Sequence, residues 1–180
     1  MFENELNSQP IYVILNEDQS TGMVASFNDV LYINFAQDVE YDIDEHFQIS
    51  NIRSIIYSTE EQKYYLLANK CQELIGYYVI ELEESELNQS ILCPNFLMNH
   101  KSKLDIGDAD LHLVDDQERG LKQLIVSYKC ININTYNIVI MDLKTRQIKQ
   151  RYENYHLWES SIIGMVLKNQ EFIMLSNQGF

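Results

Sequence analysis

The densest group of carboxylates in the sequence lies in one short segment. Its members are Asp105, Asp108, Asp110, Asp115 and Asp116. Oxygen-rich loops are what proteins use to hold Ca²⁺ or Mg²⁺, so these residues are the candidate metal ligands. The segment departs from the EF-hand order and has no closing Glu at the right offset. The alternative is a solvated turn in which the Asp side chains hydrogen-bond the local backbone.

A basic cluster follows further along the chain. Its members are Lys144, Arg146, Lys149 and Arg151, close to Tyr155 and Trp158. Because Arg, Tyr and Trp are enriched in interfaces, these six residues are the candidate partner-binding site, for an acidic partner or RNA. In a regular strand, residues 144 and 146 face one side and residues 149 and 151 the other, so the patch is not continuous. The alternative is a charged outer edge strand that resists aggregation.

No residue set with catalytic spacing accompanies these two groups. The sequence has no Gly-rich phosphate loop, no nucleophile elbow and no His-Glu-x-x-His motif. The nearest Cys and His pair, Cys93 with His100, has no visible third group to orient it. We therefore expect no enzyme activity and no cofactor.

Net charge and composition restrict the classes of partner and the cellular location that we expect. A net charge of −14 over 180 residues repels phosphates, which disfavours nucleic acids and anionic membranes as partners. Residues 1–7 carry acids where a targeting signal would carry Lys or Arg, and no apolar run approaches the roughly 20 residues that span a bilayer. Three widely separated cysteines argue against a disulfide framework. The expected location is soluble and cytoplasmic.

Apolar segments rich in strand-forming residues recur along the chain. These segments must position the carboxylate group and the basic cluster. Three of them look alike when stacked: residues 64–70, 123–129 and 171–177. A further β-branched segment precedes each one across a polar turn: residues 52–57, 111–114 and 162–167. This pattern predicts an all-β fold of antiparallel hairpins, with four strands to a blade-like unit.

Four-stranded units that recur every 40 to 60 residues or so are typical of radial propellers. In strand pattern the chain resembles a divergent WD-like β-propeller, although the Gly-His and Trp-Asp signatures are both absent. We predict one all-β domain over residues 1–180, with units near 8–48, 51–98 and 108–154 and a partial unit at 160–180. The resemblance implies a scaffold that presents loops to partners. A β-sandwich or barrel is the alternative, because short strands with regular turns suit both.

The last unit stops at Phe180 after two strands, and an open sheet edge invites pairing with another chain. We therefore predict a non-enzymatic protein–protein interaction scaffold that is a subunit or segment of a larger assembly. Its expected partners are other protein subunits that complete the edge near Phe180. Two alternatives stay open: a metal-dependent hydrolase that uses the carboxylate segment, and a reader of basic peptides.

Overall fold

The computed structural model describes residues 12–26, 29–43, 49–71, 74–83, 95–100, 106–116, 120–130, 135–155, 162–168 and 171–176. The strands within these ranges are β1 (Tyr12–Leu15), β2 (Thr21–Ala25), β3 (Val30–Asn34), β4 (Val39–Asp42), β5 (Ile49–Ser58), β6 (Lys63–Cys71), β7 (Leu74–Glu83), β8 (Asn95–His100), β9 (Ile106–Asp116), β10 (Leu121–Cys130), β11 (Thr135–Asp142), β12 (Gln147–Tyr155), β13 (Ile162–Lys168) and β14 (Glu171–Ser176). No helix in these ranges is long and apolar enough to span a membrane.

The strands form antiparallel meanders, in which neighbours in the chain are neighbours in the sheet. Sheet 1 contains β1 to β4, sheet 2 contains β5 to β8, and sheet 3 contains β9 to β12, while sheet 4 pairs β13 with β14. Every pairing is antiparallel, as the short polar turns between the strands require. The predicted fold class, all-β with antiparallel four-stranded units, is confirmed.

The chain divides into two compact units, Met1–Ser102 and Lys103–Phe180. The first unit contains sheets 1 and 2, and the second contains sheets 3 and 4. The single domain over residues 1–180 and the WD-like resemblance stay predictions.

The core of the first unit lies between sheets 1 and 2. Alternate residues of each strand reach it, with Met23 and Tyr32 from sheet 1 and Tyr64 and Ile80 from sheet 2. The Tyr64 ring meets the Tyr32 ring nearly edge-on, with 6.3 Å between the centroids. The Tyr64 hydroxyl lies 3.4 Å from Thr21 Oγ1, so the ring is buried while its polar tip has a partner.

Sheet 3 has a smaller apolar cluster on one face. Ile125, Ile138 and Ile140 are buried there, and Val114 and Tyr152 pack against them. Ile125 lies opposite Ile140, and Ile138 opposite Tyr152, in the strand register. Cross-strand pairs of this kind stabilise the sheet locally.

One local turn recurs in sheets 1, 2 and 3. A side-chain oxygen at the end of a strand accepts a hydrogen bond from the backbone N–H three residues later, at Asn34, Ser58 and Asp142. The residue after each donor N–H group has a positive φ, which is 54° at Asp38, 52° at Gln62 and 55° at Arg146. This left-handed conformation favours glycine, of which the chain has six. The side-chain hydrogen bond helps to hold a turn whose last residue carries backbone strain.

We predicted a strand at residues 111–114 and a loop for the Asp-bearing residues on either side of it, but residues 106–110 and 115–116 belong to the same strand. β9 begins at Ile106 and stays paired with β10 as far as the pair Asp116 and Leu121, whereas Asp105 lies outside the described residues. Ladder hydrogen bonds to β10 outweigh the poor strand propensity of Asp. β9 is also an edge of its sheet, where Asp side chains can stay hydrated.

Candidate interaction surface

The outer face of sheet 1 exposes large apolar side chains. Along β1, Tyr12 and Ile14 pack against the core between the sheets, so Val13 and Leu15 point to the opposite face. Val13 is 60% exposed, Leu15 is 43% exposed, and Phe35 in the β3–β4 turn is 44% exposed. We call these three residues the N-terminal surface. Apolar side chains grouped on an exposed face mark sites of interaction.

Gly22 lets this surface pack closely on its sheet. Leu15, Gly22, Ile33 and Glu40 form one row across β1 to β4, with each residue opposite the next in register. A Cβ on Gly22 would stand 2.8 Å from Leu15 Cδ2 and 3.6 Å from Phe35 Cε2. The exposed side chains of Leu15 and Phe35 therefore both pack over the backbone of Gly22.

Acidic residues border the N-terminal surface. Glu17 and Asp18 are exposed in the β1–β2 turn, and Asp38 is exposed in the β3–β4 turn at the same end of the sheet. The two turns are tied together, because the Phe35 N–H donates to the Ser20 carbonyl oxygen at 2.8 Å. Hydrogen bonds from the side chain and backbone of Ser20 lower the pKa of Asp18, so its charge persists to low pH. With Glu40, these residues form the acidic rim.

The predicted basic cluster lies on one hairpin of sheet 3. We call Lys144, Arg146, Lys149 and Arg151 the basic hairpin, and all four residues are exposed. Lys144 and Arg146 belong to the β11–β12 turn, and Lys144 Nζ donates to the Gly120 carbonyl oxygen. Tyr155 is the last residue of β12, and Trp158 lies outside the described residues.

The strict alternation expected for the basic hairpin does not hold. Ile140 lies opposite Gln150, but Met141 lies opposite Ile148, so the strand bulges at Lys149. Lys149 Nζ is 3.6 Å from Asp142 Oδ2 at the end of the facing strand. The turn and the bulge, rather than a regular strand, set the directions of these side chains.

The predicted metal ligands are spread along β9. Asp115 Oδ2 lies 3.5 Å from Lys122 Nζ, and Asp110 Oδ2 lies 3.8 Å from His112 Nε2. A strand rises about 3.3 Å per residue, so roughly 16 Å separates Asp110 from Asp115. Asp108 and Asp116 also lie in β9. The described part of the chain contains no group of three or more His, Cys, Asp or Glu residues that could hold a metal ion.

Sequence reasoning missed a partly buried charge network in sheet 2. Lys63 Nζ contacts the carboxylate of Glu81 and lies 2.6 Å from Glu83 Oε1. Burial lowers the pKa of Lys63, but its hydrogen bonds to Glu81 and then Glu83 outweigh burial and raise the pKa overall. The only signal in the sequence is that Glu81 interrupts an apolar run, Tyr78–Leu82. The Lys63 ammonium group is shared by two carboxylates of the neighbouring strand, so the network links β6 to β7.

No protein-family model and no curated protein matches the chain. The structure is similar to two crystal structures of the extracellular domain of BT4673 from B. thetaiotaomicron, assigned in one to a one component system and in the other to a hybrid two component system. The TM-score is 0.63 for both, at 12% and 13% sequence identity. The match covers 98% of this chain and 21% of theirs, so the chain spans about a fifth of their length. At this identity the likeness shows a shared fold.

The comparison corrects one expectation from the sequence. We predicted a cytoplasmic location, and this is wrong, because both similar structures are extracellular domains. The prediction relied on acidic residues at positions 1–7, on the lack of an apolar run long enough to span a bilayer and on three widely separated cysteines. The cysteines are a weak guide to location, since a β-sheet core held by apolar burial needs no disulfide in either redox environment.

Proposed function

We propose that the chain is a non-enzymatic protein-interaction scaffold, and that it binds a partner protein through the N-terminal surface. The observation that carries this proposal is the exposure of Val13, Leu15 and Phe35 on one face of sheet 1. The opposite face of the same sheet is covered by sheet 2. A partner that places a sheet or a loop on the outer face would bury the apolar side chains that are exposed there.

The apolar gain on binding is modest, so it is one part of the free energy that a specific contact needs. Burying a large apolar side chain completely is worth about 1.5 to 3 kcal/mol, and these three side chains are already about half covered. Each therefore contributes about 1 kcal/mol when a partner covers it. The acidic rim adds selectivity, because it favours a partner that is neutral or basic where it meets Glu17 and Asp38.

The rigidity of the surface supports a binding role. Leu15 and Phe35 rest on the backbone at Gly22, and the Phe35 N–H is bonded to Ser20. Side chains held in this way lose little conformational freedom when a partner binds. A similar fold occurs within a longer chain in the extracellular domain of the one component system BT4673, and this supports a recognition role.

The test is affinity capture with a matched pair of variants. Three proteins are immobilised: the wild-type chain, the Leu15→Ser/Phe35→Ser variant, and a Thr59→Ser/Glu60→Ser control that is altered in the exposed β5–β6 turn. Each is then incubated with an extract of the cells that naturally express the protein. A captured protein is then purified and titrated against all three. We expect the Leu15→Ser/Phe35→Ser variant to bind at least about tenfold more weakly than wild type and control. Equal affinity for all three, or no captured protein, would refute the proposal.

A further inference from the structure

We infer that one partner of the N-terminal surface is the basic hairpin of a second copy of this chain. This inference rests on the proposed function, and it names the occupant of the same surface. The contact joins two different surfaces of the chain, so copies would associate head to tail.

Charge complementarity carries the inference. Three members of the acidic rim, Glu17, Asp18 and Asp38, lie in the turns at the end of sheet 1 that carries Leu15 and Phe35, and the fourth, Glu40, lies in the same cross-strand row as Leu15. Four of the chain's 13 Lys and Arg residues stand together on the basic hairpin, in a chain with a net charge of −14. Lys63 and Lys122 contact carboxylates of their own sheets, as Lys149 does, but their side chains are only 17% and 10% exposed, whereas that of Lys149 is 49% exposed. Among the residues whose side chains the structure describes, the basic hairpin is therefore an exposed cationic group that can meet the acidic rim of a second copy.

The chemistry of the side chains also fits. Arg146 and Arg151 are exposed, and an Arg guanidinium stacks well on an aromatic ring such as that of Phe35, which is 44% exposed. The aliphatic stems of Lys144 and Lys149 can cover apolar surface such as Leu15 while their ammonium groups reach the acidic rim.

A symmetric contact between two N-terminal surfaces is disfavoured. It would bring Glu17, Asp18 and Asp38 of one copy against the same residues of the other. A head-to-tail contact avoids that repulsion and generates either a closed ring or an open array. Net repulsion between copies is screened beyond about 8 Å at physiological salt, so the association should be weak and dependent on concentration.

The test is a charge-swap experiment on the full chain. The weight-average mass of wild type is measured by sedimentation over about a hundredfold range of concentration. The acidic-rim variant Glu17→Lys/Glu40→Lys and the hairpin variant Lys149→Glu/Arg151→Glu are measured alone and as an equimolar mixture. Circular dichroism and the Tm establish that each variant is folded. Glu60→Lys, in the exposed β5–β6 turn, is the control for a charge reversal outside both surfaces.

We expect the mass of wild type and of the control to rise with concentration. Each charge variant alone should have a dissociation constant at least about tenfold higher, because each then presents two surfaces of like charge. The mixture should regain association, since each variant then finds its complement. A monomeric wild type, unchanged association in both variants, or a mixture that regains nothing would overturn the inference.

The two proposals can fail separately. If wild type stays monomeric while the capture experiment yields a partner that requires Leu15 and Phe35, the proposed function stands and the second copy is the wrong occupant. If Leu15→Ser/Phe35→Ser changes neither capture nor self-association, both proposals fail.

Discussion

Leu15 Cδ2 lies 2.8 Å from the point where a Cβ on Gly22 would stand, closer than two carbon atoms can approach without displacement. Ile14 O is 3.0 Å from the same point and belongs to the backbone. The exposed leucine therefore packs where it does because residue 22 has no side chain.

Gly22→Ala should destabilise the first unit by about 1 to 3 kcal/mol, because the added methyl group displaces Leu15 and presses on the β1 backbone. Urea unfolding measures the change. Leu15→Ala should cost less in the Gly22→Ala background than in wild type, since it removes the nearest obstructing atom. Additive effects of the two substitutions would contradict the close packing.

Lys63→Met should destabilise the chain by about 3 to 5 kcal/mol, because it leaves the Glu81 carboxylate, whose side chain is 3% exposed, without its cation. Glu83→Gln is the matched comparison. Glu83 contacts the same ammonium group but is 37% exposed, so the loss should be at most about 1 kcal/mol. Equal losses for both substitutions, measured by chemical denaturation, would show that burial does not distinguish the two carboxylates.

Asp142 should contribute to the free energy of unfolding by an amount that depends on pH. The backbone N–H of Thr145 donates to its carboxylate at 2.8 Å, and this bond, with help from the Thr145 side chain and Lys149, lowers the pKa of Asp142 below 3.8. The component is therefore complete above the unfolded pKa and is lost as pH falls through the folded one. Unfolding of wild type and Asp142→Asn should differ by a constant amount above about pH 5 and converge in acid. A difference that did not change with pH would contradict this assignment.

Gln62→Gly should stabilise the first unit by up to about 1 kcal/mol, because residue 62 has a φ of 52° and glycine adopts that conformation without a Cβ clash. Glu60→Gly in the same turn is the control. Residue 60 does not have a positive φ, so glycine there should only add freedom to the unfolded chain and destabilise. The measurement is the shift in Tm, and destabilisation by both substitutions would count against strain at Gln62.

Local patterns were reliable where strand and turn signals agreed. The polar turn between residues 111–114 and 123–129 predicted a hairpin, and β9 ends at Asp116 while β10 begins at Leu121. Residues 106–110 and 115–116 were wrongly predicted to be a loop, because Asp favours turns in isolation. Pairing of Asp110 with Ser127 and of Asp115 with Lys122 along the ladder overrides that preference.

The candidate surface could not be read from the sequence. Tyr12, Val13, Ile14 and Leu15 are all apolar, so alternation cannot tell which face of β1 is buried. Sheet 2 covers the face that carries Tyr12 and Ile14, and this packing alone leaves Val13 and Leu15 outside. Phe35 joins them because the β3–β4 turn is bonded to Ser20.

The sequence by itself determined the antiparallel strands and the excess of acidic over basic residues. Side-chain alternation, turn chemistry and charge are local properties. It also located the basic hairpin, whose four cations lie within eight residues. The tertiary structure decided which apolar face stays exposed, where Lys63 meets Glu81, and that the carboxylates of β9 spread along a strand. These relations join residues that are distant in the chain or depend on strand register, and register is set by the packing of whole sheets.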